Sequence, residues 1–154
     1  MLGLTLLGCA PAAARGAGPR PATDPATLVA QAQAFMDAYA NDLRTGARER
    51  IADRYDPRGA WLVGEGRKEL HPASAIRARY LSQWSPPASF EWRDLSYEAV
   101  GPDAVMVTGL FLWGVGAERR ITCSYTALLL RQENLLRIRL EDESCAPAPP
   151  APAP

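Results

Sequence analysis

The sequence predicts an α+β domain in which three helices come first and a curved antiparallel sheet follows. Three observations carry that prediction. From Asp24 to Gly46 the apolar residues recur every three or four positions, the spacing of one helix face. Ser89–Ala99 and Ala104–Trp113 read as strands joined by the turn Gly101-Pro102-Asp103. Arg119–Glu143 reads as two longer strands and a tight turn, and the rest of the chain is organised around it. Its first arm, Arg120–Leu130, is rich in β-branched and aromatic residues. Its second, Leu135–Glu141, alternates strictly, with Leu136, Ile138 and Leu140 on one face and Arg137, Arg139 and Glu141 on the other.

The elements follow in order. Thr23-Asp24-Pro25 opens the first helix with a capping side chain and a proline in the first turn. Leu28, Gln31/Ala32, Phe35, Tyr39 and Leu43 form its stripe, and Gly46 ends it. Asp37 and Asp42 lie off that stripe and are expected in solvent. Ala47–Tyr55 is a short second helix with Ile51 and Tyr55 one turn apart. Asp56-Pro57-Arg58-Gly59 turns the chain into a brief strand, Ala60–Val63, which Gly64-Glu65-Gly66 breaks. His71-Pro72 starts a third helix, Ala73 to about Trp84, with Ile76, Tyr80 and Leu81 inward. Ser85-Pro86-Pro87 stops it, and Gly114-Val115-Gly116 turns the chain into the long hairpin.

At 154 residues the chain has room for one domain with a real core. Seventeen basic and seventeen acidic residues cancel, so no bulk charge draws it to nucleic acid. All the cations but Lys68 are arginines, which beside abundant Ala and Pro reads as coding bias rather than a site. Residues 1–23 and 146–154 read as attachments to a domain at 24–145. Ala146–Pro154, a Pro/Ala run, cannot donate a sheet ladder and should be an extended, solvated tail. Met1–Cys9 is apolar, too short to span a membrane, and without the positive start of a signal peptide. Yet Leu6-Leu7-Gly8-Cys9 resembles a bacterial lipobox, with Leu7 where a smaller residue is usual. The resemblance implies lipidation at Cys9, a Pro/Ala/Gly tether to the domain, and a place in the bacterial cell envelope, as a lipoprotein or a periplasmic or secreted protein. Membrane contact is expected only through that anchor.

Several stretches, taken in order, resemble the nuclear transport factor 2-like (SnoaL-like) superfamily of α+β cones. They are Phe35–Gly46, Ile51–Tyr55 leading into Ala60–Val63, Ala75–Tyr80, Asp103–Gly109, Tyr125–Arg131 and Ile138–Ser144. The resemblance implies three helices packed on a curved antiparallel sheet around a conical cavity open at one end. Members use that cavity as an active site, as a ligand pocket, or as core beneath a protein-binding surface, so fold alone leaves function open.

The ketosteroid isomerase branch of the superfamily needs a helix-one tyrosine and two pocket carboxyls, one ionised and one neutral. Tyr39 falls where that branch keeps its tyrosine. Its base would fall at Val63 and its protonated acid near Thr126, so two of the three groups are missing. His71 is the single histidine and precedes a proline, which reads as a surface or capping position; nothing has metal-ligand spacing, and no metal or cofactor is expected. Asp94 is the one acid with a claim on the pocket. Aromatics from every expected element (Phe35, Tyr39, Tyr55, Trp61, Tyr80, Trp84, Trp92), with Val63, Ser124, Thr126 and Leu128, would line an apolar cavity bearing a few polar tips. The expectation is a non-enzymatic, envelope-exposed domain that binds an apolar small molecule or a partner protein. The alternatives are a cyclase, hydratase or isomerase working through Tyr39 and Asp94, and a module that assembles as a homodimer through its sheet.

The family pattern also puts Thr126, Leu128 and Leu130 on the buried face of their strand. Opposed residues share a face, so they must face Leu136, Ile138 and Leu140. A three-residue loop, Glu133-Asn134-Leu135, achieves this by setting Leu130 against Ile138. The same register sets Cys123 against Cys145, and a disulfide between them is expected in an oxidising compartment.

Overall fold

The computed structural model describes residues 23–116 and 119–145; Cys9, with the rest of residues 1–22, and the Pro/Ala run at 146–154 lie outside them. Helix α1, Pro25–Thr45, starts where Asp24 accepts a hydrogen bond from the Thr27 backbone N–H at 3.0 Å, a cap that contributes about 1 kcal/mol. It buries Leu28, Ala32, Met36, Tyr39, Ala40 and Leu43. It ends at Gly46, whose φ of 66° is the left-handed conformation that a side chain would strain. Helix α2 covers only Arg48–Ala52. The residues after it leave the helix to pair with the sheet: the Asp56 N–H donates to the Ile138 carbonyl, and the Ile138 N–H donates to the Arg54 carbonyl. Helix α3, Ala73–Ser82, buries Ile76, whereas Leu81, expected inward, is exposed.

Asp42 is not solvated as its place off the apolar stripe suggests. It is 3% exposed, because the turn after α1 swings Arg50 and Arg54 back onto its carboxylate. Arg54 in turn lies over the rings of Phe35 and Tyr39, 5.0 and 5.6 Å from their centroids.

Six strands make one curved sheet: β1 (Ala60–Gly64), β2 (Arg67–His71), β3 (Phe90–Gly101), β4 (Ala104–Val115), β5 (Arg119–Gln132) and β6 (Leu135–Cys145), in the order β2-β1-β6-β5-β4-β3. The expected α+β class holds, with two differences. The β1–β6 junction is parallel, so the sheet is mixed rather than wholly antiparallel. A strand that the sequence hides, β2, pairs with β1 at the edge. Its residues, Arg-Lys-Glu-Leu-His, have no apolar face, and charge of that kind suits an edge strand exposed to water.

The register of the β5–β6 hairpin departs from expectation twice, and the two departures cancel. The turn has two residues, Glu133 and Asn134, with Gln132 opposite Leu135 and Leu130 opposite Arg137. Leu129 then faces Ile138, but Leu128 faces Leu140, so Arg139 is an extra residue bulged out of the ladder. The buried face of β5 is therefore Cys123, Tyr125, Ala127 and Leu129; Thr126, Leu128 and Leu130 stand on the other face. Beyond the bulge Cys123 returns to register with Cys145, and the two are joined as a disulfide. The bulge also reverses which residues of β6 point inward. Leu136 and Ile138 face the core before it, and Glu141 does so after it.

At the β3–β4 end, the space between helices and sheet is filled by aromatic rings. Trp92 packs tilted against Tyr125 at 4.6 Å and edge-to-face against Phe90 at 4.7 Å, and its indole N–H donates to the Met36 carbonyl at 3.1 Å.

Candidate ligand-binding site

At the other end, the helices and sheet part to form a cavity of about 470 Å³. Its walls come from Tyr55, from β1, β2 and the turn between them, from Arg79 and Tyr80 on α3, and from Glu141, Glu143 and Cys145 on β6. Local pairing sets this up. Tyr55 bridges to Ile138, and Leu62 pairs with Glu141, so both flank β6 just as the Arg139 bulge turns Glu141 inward.

Glu141 is 5% exposed and holds the site together. Tyr125 donates to its Oε1 at 3.0 Å and Tyr39 donates to the same atom at 3.4 Å. Tyr55 donates to Oε2 at 2.5 Å, and since that proton is committed, Tyr80 must donate to Tyr55 across 2.8 Å. Four of the five tyrosines in the chain thus converge on one carboxyl. Among the described residues no cation pairs with it within 4 Å. Burial pushes its proton affinity above the ordinary 4.5; the three tyrosine bonds and the field of Arg79 oppose that without reversing it. Glu143, two residues on, is open to water, yet its carboxyl is pushed up to about 8, first by desolvation among the cavity walls and then by Glu141. The tyrosine hydroxyls are held well above their usual range by burial and by Glu141, and so stay protonated.

The residues expected in the pocket separate into groups. Tyr55, Val63 and Tyr80 line the cavity, and Tyr39 reaches Glu141 from behind its wall. Phe35, Trp84 and Trp92 pack in or against the core. Trp61 carries the Lys68 ammonium over its ring at 4.7 Å. Ser124, Thr126 and Leu128 stand on the outer face of the sheet, for the register reason given above. Asp94 sits exposed at a bulge in β3, at a φ of 50°, away from the cavity. His71, read as a surface residue, is half-buried on the cavity wall 3.3 Å from Glu69. Glu141, Glu143 and Arg79 escaped sequence reasoning. The available signal was the number of tyrosines on separate elements, each needing a buried acceptor.

No family model matches the chain, and no curated protein matches it. Solved structures do. A nuclear transport factor 2-like protein of unknown function from Pseudomonas putida is similar at a TM-score of 0.68 and 18% identity, over 82% of this chain and 91% of that one. A protein of Parabacteroides distasonis described as a candidate ketosteroid isomerase aligns at 0.62 and 13%, over 74% and 86%. One from Novosphingobium aromaticivorans described as a candidate scytalone dehydratase aligns at 0.62 and 10%, over 79% and 86%. The chain has the nuclear transport factor 2-like fold. Identities this low carry the architecture and leave the chemistry to the residues of the cavity.

Proposed function

We propose that this domain is a small-molecule binding protein of the cell envelope that takes its ligand in the cavity at Glu141. One observation supports the reading above all. A carboxyl buried without a counter-charge costs stability, and a hydrophobic residue of similar size would fill the space at lower cost. A chain that keeps such a group on a cavity wall, with four tyrosines arranged around it, is built to meet something there. The ligand is polar where it meets Glu141, in contrast to the apolar one that the aromatic content suggests. The envelope location is supported by the Cys123–Cys145 disulfide, a bond that persists in oxidising compartments, and by the lipobox-like residues at Cys9. The outer face of the sheet, with Met106, Leu110, Leu112 and Leu128 uncovered by helices, would seat a second copy in a homodimer.

A second reading has its own support. A carboxyl of raised proton affinity beside a cavity suits proton transfer, so an isomerase, hydratase or cyclase would use Glu141 rather than Asp94. Tyr39 serves it poorly, since burial and Glu141 both weaken the hydroxyl as an acid.

Mass spectrometry of small molecules released from protein purified out of the envelope fraction tests the binding reading. It predicts a compound enriched with wild type and lost with Glu141→Gln. Equal recovery from both, or robust turnover of an isomerase or hydratase substrate, would overturn it.

A further inference from the structure

We infer that the ligand received at Glu141 is a small organic cation, an ammonium group on a short apolar body. The inference rests on the reading of this cavity as a ligand site, and goes further by fixing the sign of the ligand's charge.

The direction of the hydrogen bonds decides it. Tyr55 and Tyr125 spend their hydroxyl protons on Glu141 and Tyr80 spends its proton on Tyr55, while Tyr39, 3.4 Å from Glu141 and 3.3 Å from the Tyr55 oxygen, spends its own on one of the two. What the cavity floor leaves open is therefore lone pairs. A carboxylate offers about four acceptor positions, and the tyrosines take at most three. The fourth is on Oε2, which holds only Tyr55, and the Tyr80 oxygen adds another acceptor. With Glu141 ionised, a ligand meeting this floor must bring donors. The N–H donors of the cavity lie on Arg79 across from the floor, and an anion or a carbonyl compound drawn to them would have to turn away from Glu141.

The charges agree. At the rim Arg67 reaches Glu65 at 3.5 Å, and His71 lies against Glu69 at 3.3 Å. That leaves Glu141 and Glu143 from β6 facing Arg79 from α3. Arg79 makes no ion pair within 4 Å among the described residues, though its field lowers the proton affinity of both acids. Asp142, on the outer side of β6, adds negative potential at Glu143. One guanidinium offsets one of these two carboxylates, and Glu69 is offset only while His71 is protonated, so the ionised site lacks at least one positive charge. The Tyr55 and Tyr80 rings, with centroids 5.8 Å apart, supply π faces for that charge, and Leu62 and Val63 supply apolar wall for the ligand's body. A volume near 470 Å³ suits an arylalkylamine.

Proton linkage follows from the same geometry. The facing groups are Glu65, Arg67, Glu69 and His71 from the β1–β2 hairpin, Arg79 and Tyr80 from α3, and Glu141 and Glu143 from β6. Of the acids, Glu141 and Glu143 hold a proton to unusually high pH, and an incoming ammonium displaces it. Affinity for the cation should therefore rise with pH between about 6 and 9, while an alkylamine of ordinary pKa, about 10, stays charged.

Three probes of one shape test this on the full chain: 2-phenylethylamine, 2-phenylethanol and phenylacetate. Each is titrated by calorimetry and by amide shifts of the cavity residues. The amine should bind at least tenfold more tightly than either other probe, shifting Leu62, Tyr80 and Glu141. Glu143→Gln, at the exposed rim, should weaken it about tenfold and flatten its pH dependence. Equal binding of the alcohol, or tighter binding of phenylacetate, would overturn the cation while leaving the pocket reading intact. If no probe moves any cavity amide, both readings fall. Should Glu141→Gln fail to fold, Glu143→Gln and the amine-to-alcohol ratio still decide the matter.

Discussion

Tyr55→Phe removes one oxygen from the centre of the site and spares the ring packing. That hydroxyl donates to Oε2 of Glu141 at 2.5 Å, accepts from Tyr80 at 2.8 Å, and lies 3.3 Å from the Tyr39 hydroxyl, which keeps Glu141 as a partner when Tyr55 loses its oxygen. A hydrogen bond to a buried charged acceptor contributes about 1.5–3 kcal/mol, and one between neutral groups about 1 kcal/mol. Tyr80 is half-exposed and can turn its hydroxyl to water, so its loss adds little. Glu141 keeps Tyr39 and Tyr125 on its other oxygen. The expected cost is therefore about 2–3 kcal/mol while Glu141 is ionised. The pH dependence is the more diagnostic part. The Tyr55 bond favours the ionised carboxylate, so the cost is fully present above the folded-state pKa of Glu141 and shrinks as pH falls through it. Urea denaturation of wild type and variant at pH 9 and pH 4 reads this directly, with an unchanged m-value as the control for an intact fold. The expected difference is about 2–3 kcal/mol at the higher pH and about 1 kcal/mol at the lower. A cost under 0.5 kcal/mol, or one identical at both pH values, would refute the claim that Tyr55 serves a buried carboxylate.

Three further outcomes are expected. Cys123→Ser opens a bridge between residues 22 apart, and the lost loop constraint should lower stability by about 3 kcal/mol, as should reduction of the wild type; reductant-insensitive melting would contradict the bond. Glu143 has its pKa raised from an ordinary 4.5 to about 8 in the folded state, so stability should be highest below 4.5 and decline as pH rises toward 8. Glu143→Gln should flatten that decline in denaturation curves, less fully than a buried group would because water reaches the side chain; an unchanged slope would show that Glu143 is not its source. Asp42→Ala strands Arg54, whose side chain is 15% exposed, and should cost about 3 kcal/mol or more by denaturant midpoint. A loss under 1 kcal/mol would mean that Asp42 is as solvated as its place off the apolar stripe suggests.

The fold was legible because helix stripes and strand alternation are local signals. Asp24, the α1 stripe, Gly46 and the long hairpin each announce themselves within a few residues. The site was not legible, because it depends on one bulge. Leu128-Leu129-Leu130 is apolar on both faces and gives no parity, so nothing local distinguishes a three-residue loop from a two-residue turn followed by a bulge at Arg139. The two solutions agree at Cys123–Cys145 and differ at Glu141, so a register that is only partly right predicts the disulfide and turns the central carboxyl to solvent. Asp42 departs from its expected place for a similar reason. Its partners Arg50 and Arg54 reach it through a tertiary turn that helix periodicity does not describe. Composition groups the aromatic residues as interior but does not say which end of a cone is filled and which is open, nor that Trp61 lies beneath Lys68 apart from the core.

The central claim is that Glu141 is a buried, uncompensated carboxyl on the wall of a ligand cavity. Its side-chain carboxyl carbon, observed by ¹³C NMR and assigned through Glu141→Gln, reports this directly across a pH titration. The account predicts a midpoint clearly above 4.5, a titration coupled to that of Glu143, and a further upward shift in Tyr55→Phe. A midpoint at or below 4.5, indifferent to Tyr55, would contradict it.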